Sequence, residues 1–178
     1  MGRPKALLPV APAGGPTFLE ALVSHLATAG CDPIVVVTGA CDFAVPAPAR
    51  GVRAAEWALG MRASLRAGLR ELPHARGVLL THVDRPCVRA STLAALLEGS
   101  PVVSRVPFHG GAPGHPVFLD AALCGRLAEA PESGPAVPLA QWLSAAGARR
   151  VDVDDPDILL NVNTPAELAA FHARGGPR

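Results

Sequence analysis

The apolar run Gly77-Val78-Leu79-Leu80 leads directly into Thr81-His82-Val83-Asp84-Arg85-Pro86. The first half predicts a short buried strand, and the proline ends the strand because it cannot donate to a sheet ladder. This order presents the Asp84 carboxylate at the carboxyl edge of the sheet, the edge at which open α/β sheets bind ligands. On its own, an aspartate after a strand more often caps the next turn or helix, so the meaning of Asp84 depends on the rest of the chain.

Length and composition predict one globular domain. The chain has 178 residues, of which 49% are hydrophobic and 17% charged. The net charge of +1 gives no reason to expect a nucleic acid or an anionic membrane as a partner. No apolar run approaches the roughly 20 residues of a membrane span, and the amino terminus does not resemble a secretory signal. Four cysteines without C-x-x-C spacing predict reduced thiols in a cytoplasmic protein and no zinc site.

Strands and helices alternate along the chain. Capping boxes begin two of the helices, one at Thr17 with Glu20 and one at Thr164 with Glu167. Hydrophobic periodicity predicts further helices at 61–72, 91–97, 120–129 and 138–146, and strands at 33–38, 52–55, 77–81, 101–106, 117–118 and 149–153. This alternation predicts an α/β fold with a mostly parallel sheet and helices on both faces.

Two polar residues in the first half of the chain could meet an anion. Lys5 follows a proline in a rigid loop, where a lysine serves either as a solvated surface group or as a point charge for phosphate. Gly60 precedes a helix that carries Ser64 in its first turns, and a helix amino terminus can bind an anion. An ordinary helix start explains that spacing equally well.

Three further segments carry candidate binding residues. His82 and Asp84 alternate along an extended segment, so their side chains point the same way, and Asp84 is a plausible Mg²⁺ ligand. The glycines around Gly114-His115 permit a close backbone approach to a ligand, although a surface hairpin has the same composition. Asn161 and Asn163 face one side before the last helix, where they either complete a Mg²⁺ shell or satisfy the turn.

Five stretches in this order resemble the molybdenum cofactor cytidylyltransferases within the broader MobA-like nucleotidyltransferase family. The resemblance covers nearly the whole chain. The proline before Lys5, the Gly-Met-x-x-Ser-Leu stretch and Gly-His-Pro favour the cytidylyl branch over the guanylyl branch. The stretches are Met1-Gly2-Arg3-Pro4-Lys5 with Leu7-Leu8-Pro9, Trp57 through Leu65, Val83-Asp84-Arg85-Pro86, Gly114-His115-Pro116-Val117-Phe118, and Asn161-Val162-Asn163-Thr164-Pro165 with Glu167-Leu168.

The resemblance implies a Rossmann-like nucleotidyltransferase domain over residues 1–178 that binds an NTP, with CTP favoured, and Mg²⁺. The terminal phosphate of an acceptor, molybdopterin in that branch, attacks the α-phosphorus, and pyrophosphate leaves. Such chemistry depends mainly on positioning and charge neutralisation. The site residues implied are Lys5 on the nucleotide's phosphates, Asp84 and Asn163 on Mg²⁺, Gly2, Gly60 and Ser64 near the nucleotide, and Gly114 and His115 on the acceptor side.

The chain departs from that family pattern at its start. The family's first strand and glycine-rich nucleotide loop, L-A-A-G-x-S-x-R, would precede Met1, so we expect the chain to begin inside the loop. Without them, two neighbouring strands would expose unpaired edges, and nucleotide affinity would fall. A start codon placed downstream of the true one is the expected cause, and a truncated, inactive product is the alternative.

A second departure concerns the acceptor. The cytidylyl branch usually carries G-D-x-G-A-R in the region of residues 132–141, where this chain reads Ser133-Gly134-Pro135-Ala136-Val137-Pro138. The aspartate and the arginine of that motif have no match here. Asn161 and Asn163 also stand where that branch more often has two aspartates, which leaves one less negative charge on a bound metal.

Three other functions remain open from the sequence. The first is a sugar-phosphate or other small-molecule nucleotidyltransferase of the same fold, because acceptor choice depends on the loops. The second is a catalytically inactive relative that binds a cofactor or a partner. The third is a metal hydrolase built from His82, Asp84, His109 and His115, which no metal-binding spacing supports.

Overall fold

A computed structural model describes residues 4–131 and 137–175. The strands of this part are β1 (Val35–Thr38), β2 (Arg50–Arg53), β3 (Gly77–Leu80), β4 (Arg105–His109), β5 (Ala112–Pro113), β6 (Val117–Asp120) and β7 (Arg149–Asp152). Its α-helices are α1 (Phe18–Thr28), α2 (Met61–Arg70), α3 (Ala90–Leu97), α4 (Ala121–Glu129), α5 (Leu139–Ala145) and α6 (Pro165–Ala173). Short 3-10 turns occupy Lys5–Leu7, Trp57–Leu59 and Pro156–Leu159.

The two predicted capping boxes are confirmed. The hydroxyl of Thr17 accepts from the Glu20 N–H at 3.2 Å, and the Glu20 carboxylate accepts from the Thr17 N–H at 2.7 Å. Thr164 and Glu167 repeat this exchange at the start of α6. Each box satisfies backbone donors that the first turn of a helix would otherwise leave without partners. Both helices therefore begin where the sequence predicts.

The strands form two separate sheets in the part of the chain that the structure describes. One holds β1 and β2, and the other has the order β3-β6-β4-β5, with β7 also paired to β4. The β1–β2 and β4–β7 pairs are parallel, whereas the β3–β6, β4–β6 and β4–β5 pairs are antiparallel. The α/β class is confirmed; the β1–β2 sheet is parallel, whereas the larger sheet is mixed, with three of its four pairs antiparallel.

A glycine hairpin produces the antiparallel component. Gly110 and Gly111 have φ values of +57° and +84°, a region that a side chain strongly disfavours. The chain therefore reverses tightly after β4, and β5 and β6 run back along it. Helix and strand alternation alone predicts crossover connections between parallel strands and does not reveal such a hairpin.

Helices cover both faces of the strands, as the sequence predicts. On one face, Val36 of β1 packs against the cluster that α1 forms with Leu19 and Val23. On the other face, the Val37 side chain meets α2 at Gly68, where an added Cβ would lie only 2.8 Å from a Val37 methyl group. Successive side chains of β1 therefore point to opposite faces, and hydrophobic core lies between the strand and the helices on each face.

The strand predicted at 101–106 is shifted along the chain. Val102 is 75% exposed in a turn, and β4 begins only at Arg105. The Arg105 side chain is buried, donates to the Leu96 carbonyl at 3.0 Å, and stacks over the Phe118 ring at 4.8 Å. Contacts with distant residues therefore decide the position of this strand, and local hydropathy does not show them.

The last helix, α6, packs against the first helix, α1. Phe171 of α6 packs edge-on against Phe18 of α1, with 5.6 Å between the ring centroids. Both rings are fully buried in one cluster with Leu8 and Val162. Among the described residues, no helix has the length and apolar character needed to cross a membrane.

The four cysteines are free thiols with different exposure. Cys87 is buried, Cys31 and Cys124 are half-buried, and Cys41 is exposed. Burial raises the pKa of the Cys87 and Cys124 thiols to about 12, which keeps both protonated and unreactive at neutral pH.

Candidate functional site

Lys5 is placed by its neighbours in the first 3-10 turn. Ala6 within the turn and Leu8 directly after it are buried, whereas Lys5 is half-buried and its side chain reaches the end of β3. Its ammonium nitrogen lies 3.4 Å from Oδ2 of Asp84 and hydrogen-bonds Oδ1 of Asn163. Lys5 is the only lysine in the sequence. The chain thus brings its single ammonium group to the end of β3.

Asp84 lies just beyond the carboxyl end of β3, as the sequence predicts. Its side chain is half-buried, and its backbone carbonyl accepts from the Val162 N–H at 2.8 Å. Val162 is 0% exposed and packs in the cluster with Cys87 and Phe171. This backbone bond, fixed by a buried side chain, sets the following residue, Asn163, beside the Asp84 carboxylate.

Asn163 is held from its other side by the capping box of α6. The Glu167 carboxylate accepts from the N–H groups of Asn163 at 2.7 Å and Thr164 at 2.8 Å. These two backbone bonds lower the pKa of Glu167 and keep it ionised. Asn161 and Asn163 are both exposed, but among the described residues the Lys5 ammonium group hydrogen-bonds Asn163 and not Asn161.

Arg85 also stabilises the segment that carries Asn163, a role that the sequence did not indicate. Its guanidinium donates to the carbonyl of Ile158 at 3.0 Å and to that of Leu160 at 3.3 Å. These bonds tie the segment before Asn163 to the residue that follows Asp84. The only sequence signal was the position of Arg85 directly after the candidate ligand.

The Asp84 carboxylate and the Asn163 amide oxygen, which the Lys5 ammonium group now contacts, are oxygen ligands of the kind that a divalent cation takes. Lys5 already places a positive charge against one carboxylate oxygen and one amide oxygen. Hard cations such as Mg²⁺ take these two oxygen types as ligands and fill their remaining positions with water or phosphate oxygens. The same oxygens could hold a metal if the ammonium group moved onto a neighbouring phosphate.

Gly60 and Ser64 lie around a cavity of about 700 Å³ next to this group. Gly60 has φ of +103° and immediately precedes α2, and its N–H donates to the Trp57 carbonyl at 3.0 Å. Ser64 is half-buried in the first turns of α2. Both residues line the cavity, as do His82 and Val83 directly before Asp84.

Gly114 and His115 lie in the bend between β5 and β6. The Gly114 N–H donates to the Pro107 carbonyl at 2.9 Å, and the His115 N–H donates to the Ile158 carbonyl at 3.0 Å. A Cβ on Gly114 would lie 2.5 Å from that same carbonyl oxygen, so only glycine fits. His115 in this bend lines the cavity.

Two histidine rings meet beside Asp84. His82 and His115 are in edge contact, with 4.8 Å between their centroids. Burial lowers the pKa of His115 to about 4, and nearby His82 and Arg85 act in the same direction. Burial also lowers the pKa of His82, although Asp84 opposes this effect. Both rings are therefore neutral at pH 7, although a hydrogen bond with the Leu80 backbone acts against the lowering of the His115 pKa.

The candidate residues therefore fall into two adjoining groups. Lys5, Asp84 and Asn163 meet directly, whereas Gly60, Ser64 and His115 line the neighbouring cavity and Gly114 shapes its wall. Gly2 lies outside the described residues, as do 133–136 of the segment that departs from the cytidylyl branch.

The structure does not support the metal hydrolase alternative. Nδ1 of His109 lies 3.1 Å from the Val153 carbonyl oxygen. Across residues 4–131 and 137–175, no three His, Cys, Asp or Glu side chains are grouped so that they could hold a metal ion.

Comparison with known proteins gives matches over most of the chain. Residues 1–151 match the family model described as the MobA-like NTP transferase domain. The search of curated proteins found no match. Among solved structures, Rv0371c from Mycobacterium tuberculosis H37Rv is 25% identical, with a TM-score of 0.76 over 97% of this chain and 91% of that chain.

Two other solved structures share the fold. Rv0371c in complex with manganese is 24% identical, with a TM-score of 0.71 over 97% of this chain and 93% of that chain. The 2-C-methyl-D-erythritol 4-phosphate cytidylyltransferase from Thermus thermophilus is 23% identical, with a TM-score of 0.63 over 96% of this chain and 93% of that chain. Both likenesses support the Rossmann-like α/β fold.

Proposed function

The chain belongs to the MobA-like NTP transferase family, and we propose that it transfers a nucleoside monophosphate from an NTP to a small phosphorylated acceptor. CTP is the favoured nucleotide and molybdopterin the favoured acceptor. The observation that carries the proposal is the meeting of Lys5, Asp84 and Asn163, three residues from distant parts of the chain, at the carboxyl end of β3. Nucleotidyl transfer needs this combination of cation and oxygen ligands.

The transfer forms one bond and breaks another. A phosphate oxygen of the acceptor attacks the α-phosphorus of the NTP and forms a new P–O bond, while the bond from the α-phosphorus to the bridging oxygen breaks. The electron pair of that bond leaves with pyrophosphate. Lys5 binds the negative phosphate oxygens and offsets the charge that develops on them in the transition state.

A divalent metal is part of the proposal, and Mg²⁺ is the ion we expect. Asp84 and Asn163 would hold it through one carboxylate and one amide oxygen. When bound, Mg²⁺ would neutralise charge on the triphosphate and on the departing pyrophosphate. The relative that binds manganese supports a divalent ion in this fold. The Glu167 bond to the Asn163 N–H keeps the amide side chain beside Asp84.

The cavity beside this group is the proposed place for the rest of the substrates. Gly60 and Ser64 lie on its nucleotide side, and Gly114 lets the chain pass close to Ile158 so that His115 lines the acceptor side. The Gly-Met-x-x-Ser-Leu and Gly-His-Pro stretches support CTP over GTP. The unmatched acceptor motif near residue 137 supports a sugar-phosphate or other small phosphorylated acceptor as the second candidate.

The setting of the reaction is also a proposal. We take residues 1–178 as one domain, because α6 packs its Phe171 against Phe18 at the other end of the chain. A net charge of +1 and four free thiols support a cytoplasmic enzyme that acts on small molecules without nucleic acid or membrane.

Pyrophosphate release tests the proposal. The protein is incubated with Mg²⁺ and CTP, GTP or UTP against molybdopterin and a panel of sugar phosphates. The proposal expects acceptor-dependent release that is fastest with CTP and molybdopterin. Release with a sugar phosphate alone would favour the second candidate. Nucleotide binding without release on any acceptor would identify an inactive relative and overturn the proposal.

A further inference from the structure

The 3-10 turn at Pro156–Leu159 contacts both groups of candidate site residues. The carbonyl of Ile158 in this turn accepts from the His115 N–H at 3.0 Å and from the Arg85 guanidinium at 3.0 Å. His115 lines the cavity, and Arg85 directly follows Asp84. Ile158 is 0% exposed, so one buried backbone carbonyl joins the segment that carries Asp84 to the segment that carries His115.

The short chain between this turn and Asn163 is held against the Asp84 segment by two bonds. The Leu160 carbonyl accepts from Arg85 at 3.3 Å, and the Val162 N–H donates to the Asp84 carbonyl at 2.8 Å. Both bonds lie between the turn and Asn163 along the chain. A shift of the turn would therefore move the Asn163 amide relative to the Asp84 carboxylate.

A buried carboxylate, that of Asp155, begins the turn. Asp155 is 1% exposed, and its Oδ1 accepts from the Asp157 N–H at 3.1 Å. Its Oδ2 accepts from the Arg89 N–H at 2.9 Å and from the Thr92 hydroxyl at 2.7 Å. Arg89 and Thr92 lie at the start of α3, so one side chain fastens the turn to the amino terminus of that helix.

The Asp155 oxygens are used within the protein. They accept three hydrogen bonds, and Nε of Arg89 lies 3.8 Å from Oδ1. Asp155 is not one of the described residues that line the cavity. Burying a carboxylate is costly unless its oxygens are hydrogen-bonded, and here backbone and hydroxyl donors meet that need. The side chain therefore acts on the backbone of the turn and does not contact a substrate in the cavity.

A second buried carboxylate fastens the other side of the turn to the last helix. Asp157 is 3% exposed, and its Oδ1 lies 2.8 Å from a guanidinium nitrogen of Arg174. The Arg174 guanidinium also lies over the Phe171 ring of α6, 5.3 Å from its centroid. The turn keeps this attachment when Asp155 is altered, so we expect a local loosening and not a loss of the fold.

We propose that Asp155 is a positioning residue for the site, which acts through the Ile158 carbonyl to fix the Asp84–Asn163 pair and His115 relative to each other. The placement of these backbone segments does not depend on any reaction, whereas its effect on metal binding rests on the proposed function. A carboxylate that served folding alone would stabilise the whole chain evenly. A positioning residue controls the local opening of the segments that depend on it.

Native-state amide hydrogen exchange of Asp155→Asn tests the proposal without any ligand. The substitution keeps the shape of the side chain and replaces one acceptor oxygen by a donor group. The His115 and Val162 amides report on the two segments that the turn joins. We expect them to exchange about tenfold faster relative to the Arg50 and Ala54 amides, which donate to β1 and lie outside the turn.

Two further variants separate positioning from general stability. Asp120→Asn is the matched control, because Asp120 is also buried and caps α4 by accepting from the Leu123 N–H at 3.0 Å. It should lower the urea midpoint of unfolding and leave the ratio of the reporting to the reference amides unchanged. Thr92→Val removes one donor to Asp155 and keeps the carboxylate, so it should shift the ratio severalfold in the same direction. It supplies the test if Asp155→Asn does not fold.

Mn²⁺ binding in the presence of CTP distinguishes this proposal from the proposed function. If both hold, Asp155→Asn weakens Mn²⁺ binding severalfold. If the unmodified chain binds no Mn²⁺ with CTP, the proposed function fails, and the amide ratios still decide the positioning role. That role is overturned if the reporting amides change no more than the reference amides, if Asp120→Asn changes them equally, or if Asp155→Asn binds Mn²⁺ as tightly as an unmodified chain that does bind it.

Discussion

Lys5 Nζ lies 3.4 Å from Oδ2 of Asp84, although 79 positions separate the two residues in the chain. The contact depends on two anchors. Buried Ala6 and Leu8 fix the turn that carries Lys5, and β3 fixes the residue that carries the carboxylate. A lysine and an aspartate in loops at the surface would not hold this geometry unaided, because an exposed ion pair contributes only about 0–1 kcal/mol. We therefore treat the pair as a functional arrangement and expect changes in it to alter ligand binding more than stability.

Lys5→Met should have opposite effects on metal binding and on nucleotide binding. Without it, the oxygens of Asp84 and Asn163 lose a competing cation, so the affinity for Mn²⁺ alone should rise severalfold, while the affinity for CTP should fall because a phosphate partner is lost. Electron paramagnetic resonance of free Mn²⁺ and nucleotide titration measure the two effects. Arg53→Met, which removes an exposed charge on β2, should change neither. A parallel loss of both affinities in Lys5→Met would contradict the account.

Asn163→Asp should strengthen metal binding. The substitution adds a full negative charge at a position that already contacts the Lys5 cation, and carboxylates bind hard cations more tightly than amides do. We expect at least about a tenfold gain in Mn²⁺ affinity, because an opposite charge about 4 Å away is worth from about 1 kcal/mol in water to about 4 kcal/mol near a protein surface. Asn161→Asp adds the same charge at an exposed neighbour and should give a smaller gain. Equal gains would place the metal elsewhere.

Gly114→Ala should destabilise the protein by about 2–3 kcal/mol, the usual range for forcing an atom into packed structure. The new Cβ would lie 2.5 Å from the Ile158 carbonyl oxygen, which also accepts from the His115 N–H. Gly125→Ala is the control, since its Cβ meets nothing within 4 Å and alanine favours the helix interior. Chemical denaturation measures both variants. The structural role of Gly114 fails if the two variants are equally stable.

The stability of the folded state should fall as the pH drops from about 6.5 to about 4. Burial lowers the pKa of His115 from 6.5 to about 4, so in this window the unfolded chain binds a proton that the folded chain excludes. Above pH 6.5 both states hold the ring neutral, and its contribution is fully present. The loss from this ring is at most on the order of 3 kcal/mol. His82 acts in the same direction, because its pKa is also lowered by burial.

Replacing His115 tests whether its ring causes the predicted loss of stability at low pH. His115→Asn should flatten the dependence of unfolding free energy on pH between 4 and 6.5, measured by urea denaturation at several pH values. His74→Asn, which changes an exposed histidine, should leave the slope unchanged. An unchanged slope in His115→Asn would mean that other groups cause the acid sensitivity.

The parts of the fold that depend on neighbouring residues were predictable from the sequence. Capping boxes at Thr17 and Thr164 set the starts of α1 and α6, and the apolar run from Gly77 predicted β3 to within one residue. The strand predicted at 101–106 was misplaced because the position of β4 depends on Arg105, whose partners Leu96 and Phe118 belong to other elements.

The site was predictable as an ordered set of motifs and less so as geometry. The family resemblance implies Lys5, Asp84 and Asn163 as site residues, and the structure brings them together. The contact between His82 and His115 could not be foreseen, because it depends on the bend after the β4–β5 hairpin, which brings the two rings together. The spacing of the two histidines along the chain does not reveal such a contact.

Mn²⁺ binding in the presence of CTP tests the central claim most directly, by comparing the unmodified chain with Asp84→Asn. The backbone bond from the Val162 N–H to residue 84 does not depend on its side chain, so the fold should persist. Asp152→Asn, which alters an exposed carboxylate paired with Arg150, is the matched control. If Asp84 and Asn163 form the metal site of a nucleotidyltransferase, Asp84→Asn weakens Mn²⁺ binding by about tenfold or more and Asp152→Asn leaves it unchanged. Equal Mn²⁺ affinity in the unmodified chain and in Asp84→Asn would contradict the account.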